Sequence, residues 1–539
     1  MSVQSVQMPW RTGVRAASVF VAIAAATTLG VTGIASAQQE TIVIARDNDF
    51  NTLDPSRSWC DSCQIYLTAV YDQLLRVGAD NRTLEPRLAD SWSVSDDRLE
   101  YTFNLNPNAT FSDGSPVEAS DVAFSLMRLK NLQGGASFLA SGIESVEAPD
   151  AKTAVVRLSD PDPEFLGKVS APYGAIINAD VARENGAIAD SGADQNDNAE
   201  PWFLENSAGS GAYVLESYRP DDELRLAANP DYWRDAPDAD AIVLRQTQDA
   251  VSQMQLLQSG GADIAMQIDA VTAETVSADG VVTELVPSFN FIYIALAPGA
   301  VDLDVELTPQ VREAIALAID YDGVLEFTTG GAANLIAAPI PPGFPGTDGL
   351  PLPAENLERA KELLAEAGHA GGFSMVAAYP EVNIYGVDLT TMMQKVQQDL
   401  ARVDIDLTLE PVTFAVWRER VGGDHIPMTA VYFAPDYFGS GQYVSFFGSV
   451  PGNTWFNRAG GGNAPEIANE RLAGLMDEIK EASPEQAEDL YHQMALEMIK
   501  DRIIIPLVNP KLVLAYRDTI DGVRYAVCCN LPLEELSKQ

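Results

Sequence analysis

Histidine and cysteine are nearly missing from this chain of 539 residues, with three of the first and four of the second. That scarcity closes most routes to acid–base or metal chemistry. His369, His425 and His492 stand far apart, and none lies in an H-E-x-x-H pair. There is no G-x-S-x-G nucleophile elbow, no glycine loop ending in a phosphate-binding lysine, and no G-x-G-x-x-G after a strand. Beyond the N-terminal segment, no run is long and apolar enough to cross a bilayer. Basic residues are also few: 34 Lys and Arg against 77 Asp and Glu give a net charge of −43. A surface that acidic repels nucleic acid and anionic lipid, so neither is expected as a partner. The acidity reads first as solubility in a salty environment. Steering of cationic ligands is the weaker reading, since salt screens it within about 10 Å.

The N-terminal segment reads as an address. Arg11 and Arg15 precede an Ala-, Val- and Thr-rich run over 16–34, and Ala35-Ser36-Ala37 forms a small-residue cleavage site. No Cys follows that run to carry a lipid. The expectation is a signal peptide over 1–37 and a soluble, monomeric periplasmic protein. The roughly 500 residues that remain exceed one compact core and predict at least two lobes.

The four cysteines fall into two pairs at opposite ends of the chain. Cys60-x-x-Cys63 alone suits a redox dithiol or half a zinc site. It lies in a turn-rich loop after Leu53-Asp54-Pro55, where the sequence shows neither a helix start nor the strand pattern of a redox motif. Structural disulfides are the default in an oxidising compartment, so no metal and no cofactor is expected. A bridge between the neighbours Cys528 and Cys529 needs strained geometry. The expectation is therefore two bridges from the Cys60/Cys63 loop to the Cys528/Cys529 segment, with both cross-pairings open.

What the chain does have is regular patterning. Leu99, Tyr101, Phe103 and Leu105 alternate with polar residues as in a half-buried strand, and Asp113-Gly114 follows as a turn. Ser120 and Asp121 are candidate caps for a helix through Leu129. Residues 41–45 read as a buried strand, 64–77 as a helix, 146–158 as a hairpin turning at Pro149-Asp150, and 289–296 as an apolar strand. Thr308-Pro309 opens a helix to Asp320, and 355–367, 390–402 and 484–499 read as further helices. Asp302/Asp304 and Asp404/Asp406 share strand faces but read as solvated surface.

The stretch 71–133 resembles the large extracytoplasmic solute-binding proteins of ABC importers (family 5), which include dipeptide, oligopeptide and nickel receptors. Tyr71, Leu74, Pro86, Leu88, Ala89, Trp92, Tyr101, Phe103, Phe111, Asp113, Gly114, Ala119, Asp121 and Val122 all fall in step with its pattern. So do 209–215, 224–233, 251–264 and the Val311-Arg312 helix, and the resemblance spans roughly 41–527. It implies an α/β protein of two lobes joined by a hinge. Lobe I would cover 38–296, with an inserted subdomain over about 79–208, lobe II 297–505, and 506–539 would return to lobe I. It implies a receptor, not an enzyme, that hands a peptide or peptide-like solute to a membrane permease. An oligosaccharide, an opine-like compound and a metal chelate are the alternatives within the family. A secreted hydrolase is the alternative outside it, since composition does not exclude a pair of distant catalytic carboxylates.

The resemblance also places a site. Family peptide receptors carry "W..DY.DP", whose Asp meets the ligand ammonium. Phe433-Ala434-Pro435-Asp436-Tyr437 aligns with it, although Gly439-Ser440 replaces the final DP. The opposite wall is expected from Arg57, Ser58 and Trp59, with Arg57 meeting a carboxylate and Trp59 stacking on the ligand. The expected ligand contacts are thus Arg57, Ser58, Trp59, Phe433, Ala434, Asp436 and Tyr437.

Overall fold

The strand Thr41–Arg46 has no polar face to spare for solvent, and it lies between two parallel partners, Ala241–Gln246 and Ile264–Ala265. Parallel pairing buries a strand on both faces, as a continuous apolar run requires. It centres one of the sheets in a computed structural model that describes residues 40–275, 279–301, 303–423 and 426–539. The signal peptide expected over 1–37, Asp302 and His425 lie outside the described residues.

Among the described residues, three sheets organise the molecule. A seven-stranded sheet runs, in order, Val281–Val286, Leu512–Arg517, Ile264–Ala265, Thr41–Arg46, Ala241–Gln246, Glu223–Ala228 and Tyr213–Arg219. A six-stranded sheet runs Ala333–Asn334, Ile504–Pro510, Phe291–Leu296, Met428–Phe433, Phe373–Pro380 and Ile405–Val412. A four-stranded antiparallel sheet, between Ala89 and Leu158, enlarges the first lobe inside the expected insertion. Each of the two large sheets centres one lobe.

The crossings between lobes differ from expectation. Phe291–Leu296 and Ile504–Pro510 pair with each other inside the second lobe's sheet. The chain therefore crosses over 287–290 and again at Lys511, not near 296 and 505. Both strands are buried along their length and apolar apart from Asn509, so composition could not say which sheet they join.

Local signals mostly act as read. Tyr101, Phe103 and Leu105 are buried on one face of Glu100–Leu105. Thr308 caps the helix Pro309–Ala318 by accepting from the Val311 N–H at 3.3 Å. Three readings shift. The helix expected over 64–77 is Asp61–Val70, and it stops where Tyr71 turns extended. Leu75–Val77 then pairs with Leu84–Pro86 as a strand. Glu118, not Ser120, caps Ala119–Asn131, in a capping box with Asp121. The hairpin turns at Ala151-Lys152, because Pro149 and Asp150 still belong to the strand Ile143–Asp150.

Candidate functional site

The helix Asp61–Val70 begins at the boundary between the lobes, with Cys60 as its N-cap. The loop reading of this segment missed that start. Facing it, the strand Met428–Phe433 ends, and Ala434-Pro435 carries the chain on to Asp436. Between the two lies a cavity of about 80 Å3. Trp59, Cys60, Asp61, Gln64 and Tyr173 line it from the first lobe. Phe414, Trp417, Arg418, Phe433, Ala434, Asp436 and Arg458 are among its walls from the second.

Asp436 is 2% exposed, and its Oδ1 accepts from Gln64 Nε2 at 2.8 Å, across the lobes. Its Oδ2 has no partner among the described residues. Burial pushes the carboxyl up to about 7, against hydrogen bonding from Gln64 and, more weakly, from the Trp59 indole. A half-satisfied buried carboxylate is costly unless something cationic joins it.

Two guanidinium groups on the same cavity are also short of partners. Arg418, on the helix Phe414–Gly423, donates Nη2 to the Trp59 carbonyl at 2.7 Å, while its Nε is unpaired. Arg458 rests against the rings of Trp455, Phe446 and Trp417 at 5.3, 5.6 and 5.9 Å. Neither forms an ion pair among the described residues. Burial lowers the Arg458 pKa to about 10, so the group stays charged at neutral pH. The aromatic walls hold these cations by their ring faces, Arg418 lying over Phe414 at 5.1 Å.

The expected site residues divide. Trp59, Phe433, Ala434 and Asp436 line the cavity. Arg57 does not; its guanidinium turns to Asp197 at 3.2 Å and Asp54 at 3.5 Å. Both carboxylates also grip the fully buried Arg128, at 2.6 Å from Asp54 and 2.8 Å from Asp197. Ser58 is buried and donates to the carbonyls of Asp54 and Thr52. Tyr437 is buried too, and its hydroxyl donates to Glu164 at 2.8 Å. Gln64, Arg418, Arg458 and Trp417 went unread. Two arginines among aromatic residues in an otherwise acidic chain were the one signal for them.

The disulfide expectation is corrected. Cys60 bonds to Cys63, which the helix start brings within a single turn, and neither Cys528 nor Cys529 is bonded to them. No bridge joins the two ends of the chain among the described residues.

The lobes meet through hydroxyl donors on one side and carboxylates on the other. Tyr385 donates to Asp61 at 2.9 Å, and Tyr432 donates to Asp49. Glu164 accepts from Tyr491 at 2.6 Å, Tyr437 at 2.8 Å and the Gly441 N–H at 2.9 Å. This contact accounts for Gly439-Ser440-Gly441. A Cβ on Gly439 would stand 2.8 Å from the Glu164 carboxylate, and one on Gly441 closer still.

Comparison with known proteins places this geometry. The model of "Bacterial extracellular solute-binding proteins, family 5 Middle" matches residues 83–455. The probable D,D-dipeptide-binding periplasmic protein DdpA of Escherichia coli K12 is 27% identical over 78% of this chain and 81% of its own. The periplasmic binding protein DppA of Helicobacter pylori, solved with the peptide STSA, superposes with a TM-score of 0.80 at 21% identity, covering 93% of this chain and 98% of that one. AgaA from A. tumefaciens R10, solved with agropinic acid, gives 0.78 at 21% identity, covering 93% and 99%. The two solved structures share the two-lobed fold with this chain.

Proposed function

The chain belongs to the bacterial extracellular solute-binding proteins, family 5, and on that premise we propose that its interlobe cavity binds a short zwitterionic solute, a dipeptide or a peptide-like amino acid derivative. The observation that carries this is a charge pattern. A buried carboxylate with a free oxygen faces the same small cavity as two guanidinium groups without counter-ions. Asp436 takes the solute's ammonium, and Arg418 and Arg458 take its carboxylate. A neutral sugar would leave all three charges unpaired in a low-dielectric cleft, at a cost. The cavity, with room for roughly five to eight waters, suits a short solute better than an extended chain.

The dipeptide named for the E. coli relative and the peptide in the H. pylori structure support the same class. Two arginines against one aspartate also suit an opine-like solute, with one amine and two carboxylates. The molecule acts as a binding protein, not a catalyst. It closes its lobes over the solute outside the cytoplasm and presents it to an ABC permease in the membrane.

A thermal-shift screen tests this reading. Free dipeptides should raise the melting temperature, because a ligand at 100 times its Kd adds about 2.7 kcal/mol. N-acetyl dipeptides and dipeptide amides, each lacking one charge, should raise it little. A shift as large from an uncharged sugar would overturn the reading.

A further inference from the structure

The cysteines left over by the Cys60–Cys63 bond sit side by side in sequence, and their sulfurs converge. Cys528 Sγ and Cys529 Sγ are 2.8 Å apart. Uncharged heavy atoms rest in contact at roughly 3.5–4.0 Å, so these two are closer than packing alone would place them. From this convergence we infer that Cys528 and Cys529 close a vicinal disulfide in the mature protein, and that the ring braces the turn carrying Asn530 to the lobe boundary.

Adjacent residues make poor disulfide partners in most backbones. Their Cα atoms are about 3.8 Å apart, below the usual disulfide range, and in a strand their side chains point to opposite faces. Here a tight turn aims both the same way. Cys529 N and Asn530 N both donate to the Ala526 carbonyl, at 3.2 and 2.8 Å, and Asn530 takes a left-handed φ of 58°. The sulfurs are brought together by backbone bonding that needs no covalent link.

Access and chemistry agree with ring closure. Cys529 is fully buried and Cys528 half-buried, and both lie on the wall of a second cavity, of about 110 Å3, with Thr68, Arg76, Arg87 and Arg524. Burial pushes the Cys529 thiol up, against the pull of the nearby Arg524 guanidinium, so the half-buried Cys528 is the sulfur that meets the oxidant first. The oxidant is a disulfide, either a small molecule or a protein. The Cys528 thiolate attacks one of its sulfurs and expels a thiolate, leaving a mixed disulfide. The Cys529 thiolate then attacks Cys528 Sγ and expels the second thiolate. Two cysteine thiols have given up two protons and two electrons, and the oxidant leaves as two thiols.

The position gives the ring its consequence. Asn530 follows it directly. Asn530 Nδ2 donates to Asp61, and Asn530 Oδ1 accepts from Asn290 Nδ2, in the crossing between lobes, at 2.7 Å. Asp61 follows Cys60 and also receives the Tyr385 hydroxyl and an ion pair from Arg46 at 2.9 Å. The two cysteine pairs therefore each fix the neighbour of one partner in the Asp61–Asn530 bond, at the edge of the solute cavity.

The test uses the mature protein, reduced, re-oxidised with oxidised glutathione, alkylated without reduction and digested. The peptide bearing Cys528 and Cys529 should be unalkylated and lighter than its reduced form by two hydrogens. Alkylation of either residue, a persistent glutathione adduct, or linkage to the Cys60/Cys63 peptide would overturn the ring. Hydrogen exchange reads the bracing. Amides of 526–531 should exchange at least tenfold more slowly in oxidised wild type than in the C528S/C529S double variant. Equal rates in the two would remove the bracing role.

Discussion

Glu164 accepts the Tyr491 hydroxyl at 2.6 Å, a bond from the enlarged first lobe to the long helix Pro484–Asp501 of the second. With Tyr437 and the Gly441 N–H it gives one carboxylate three donors from the opposite lobe, and no cation forms an ion pair with it among the described residues. Burial raises the Glu164 carboxyl above its usual range, against hydrogen bonds from Tyr491, Gly441 and Tyr437 that lower it. The contact exists only when the lobes are together, so it acts as a latch.

Removing the latch should open the molecule. Hydrogen bonds to a charged group are worth about 1.5–3 kcal/mol each, so E164A should shift the open-to-closed ratio by at least tenfold. Small-angle scattering should report a larger radius of gyration for E164A, and a smaller increase for Y491F. An E164A radius equal to that of wild type would show that the latch does not hold the lobes.

Asp436 should make binding depend on pH. Its carboxyl, normally at 3.8, is raised by burial to about 7, so the folded protein keeps a proton that the unfolded chain releases. The stability contribution is full below about pH 4 and is lost as pH rises to about 7, a change of about 3–5 kcal/mol. A bound ammonium favours the carboxylate and reverses the sense. Dipeptide affinity should therefore rise from pH 5 to pH 7 with proton release, then level off. Calorimetry in buffers of different ionisation enthalpy measures that release. D436N should abolish it and cost about 2–5 kcal/mol of binding.

The arginine pair should read the other end of the solute. In wild type, a dipeptide should bind far better than its C-terminal amide. R458M and R418M should each narrow that preference, and the double variant should erase it. If the double variant still prefers the free carboxylate, the anion subsite lies elsewhere.

Arg128 should matter for folding and not for recognition. It holds Asp54 and Asp197 in a cluster whose charged groups are fully buried. R128M leaves two buried carboxylates with only the partly exposed Arg57 nearby, a loss of about 3–5 kcal/mol. The denaturant midpoint should fall, while any correctly folded fraction keeps its dipeptide affinity.

The sequence by itself determined the local elements and the family scaffold. Alternation at Tyr101, Phe103 and Leu105 and the Thr308-Pro309 start are decided within a few residues, so they could be read directly. The run through Asp436 could be read too, because its place beside the cleft follows from the family pattern. Tertiary structure alone decided the rest. Phe291–Leu296 and Ile504–Pro510 are apolar on both faces apart from Asn509 and would suit either sheet; their mutual pairing set where the hinge lies. Arg57 and Arg418 are equally plausible anion binders on paper. Arg57 found Asp197, 140 positions away, whereas Arg418 reached the cavity with no carboxylate beside it. The cysteines paired within one helical turn, against the expected long-range bridges. In each case the deciding partner is brought close by the fold, and electrostatic and covalent pairing depend on distance in space, not along the chain.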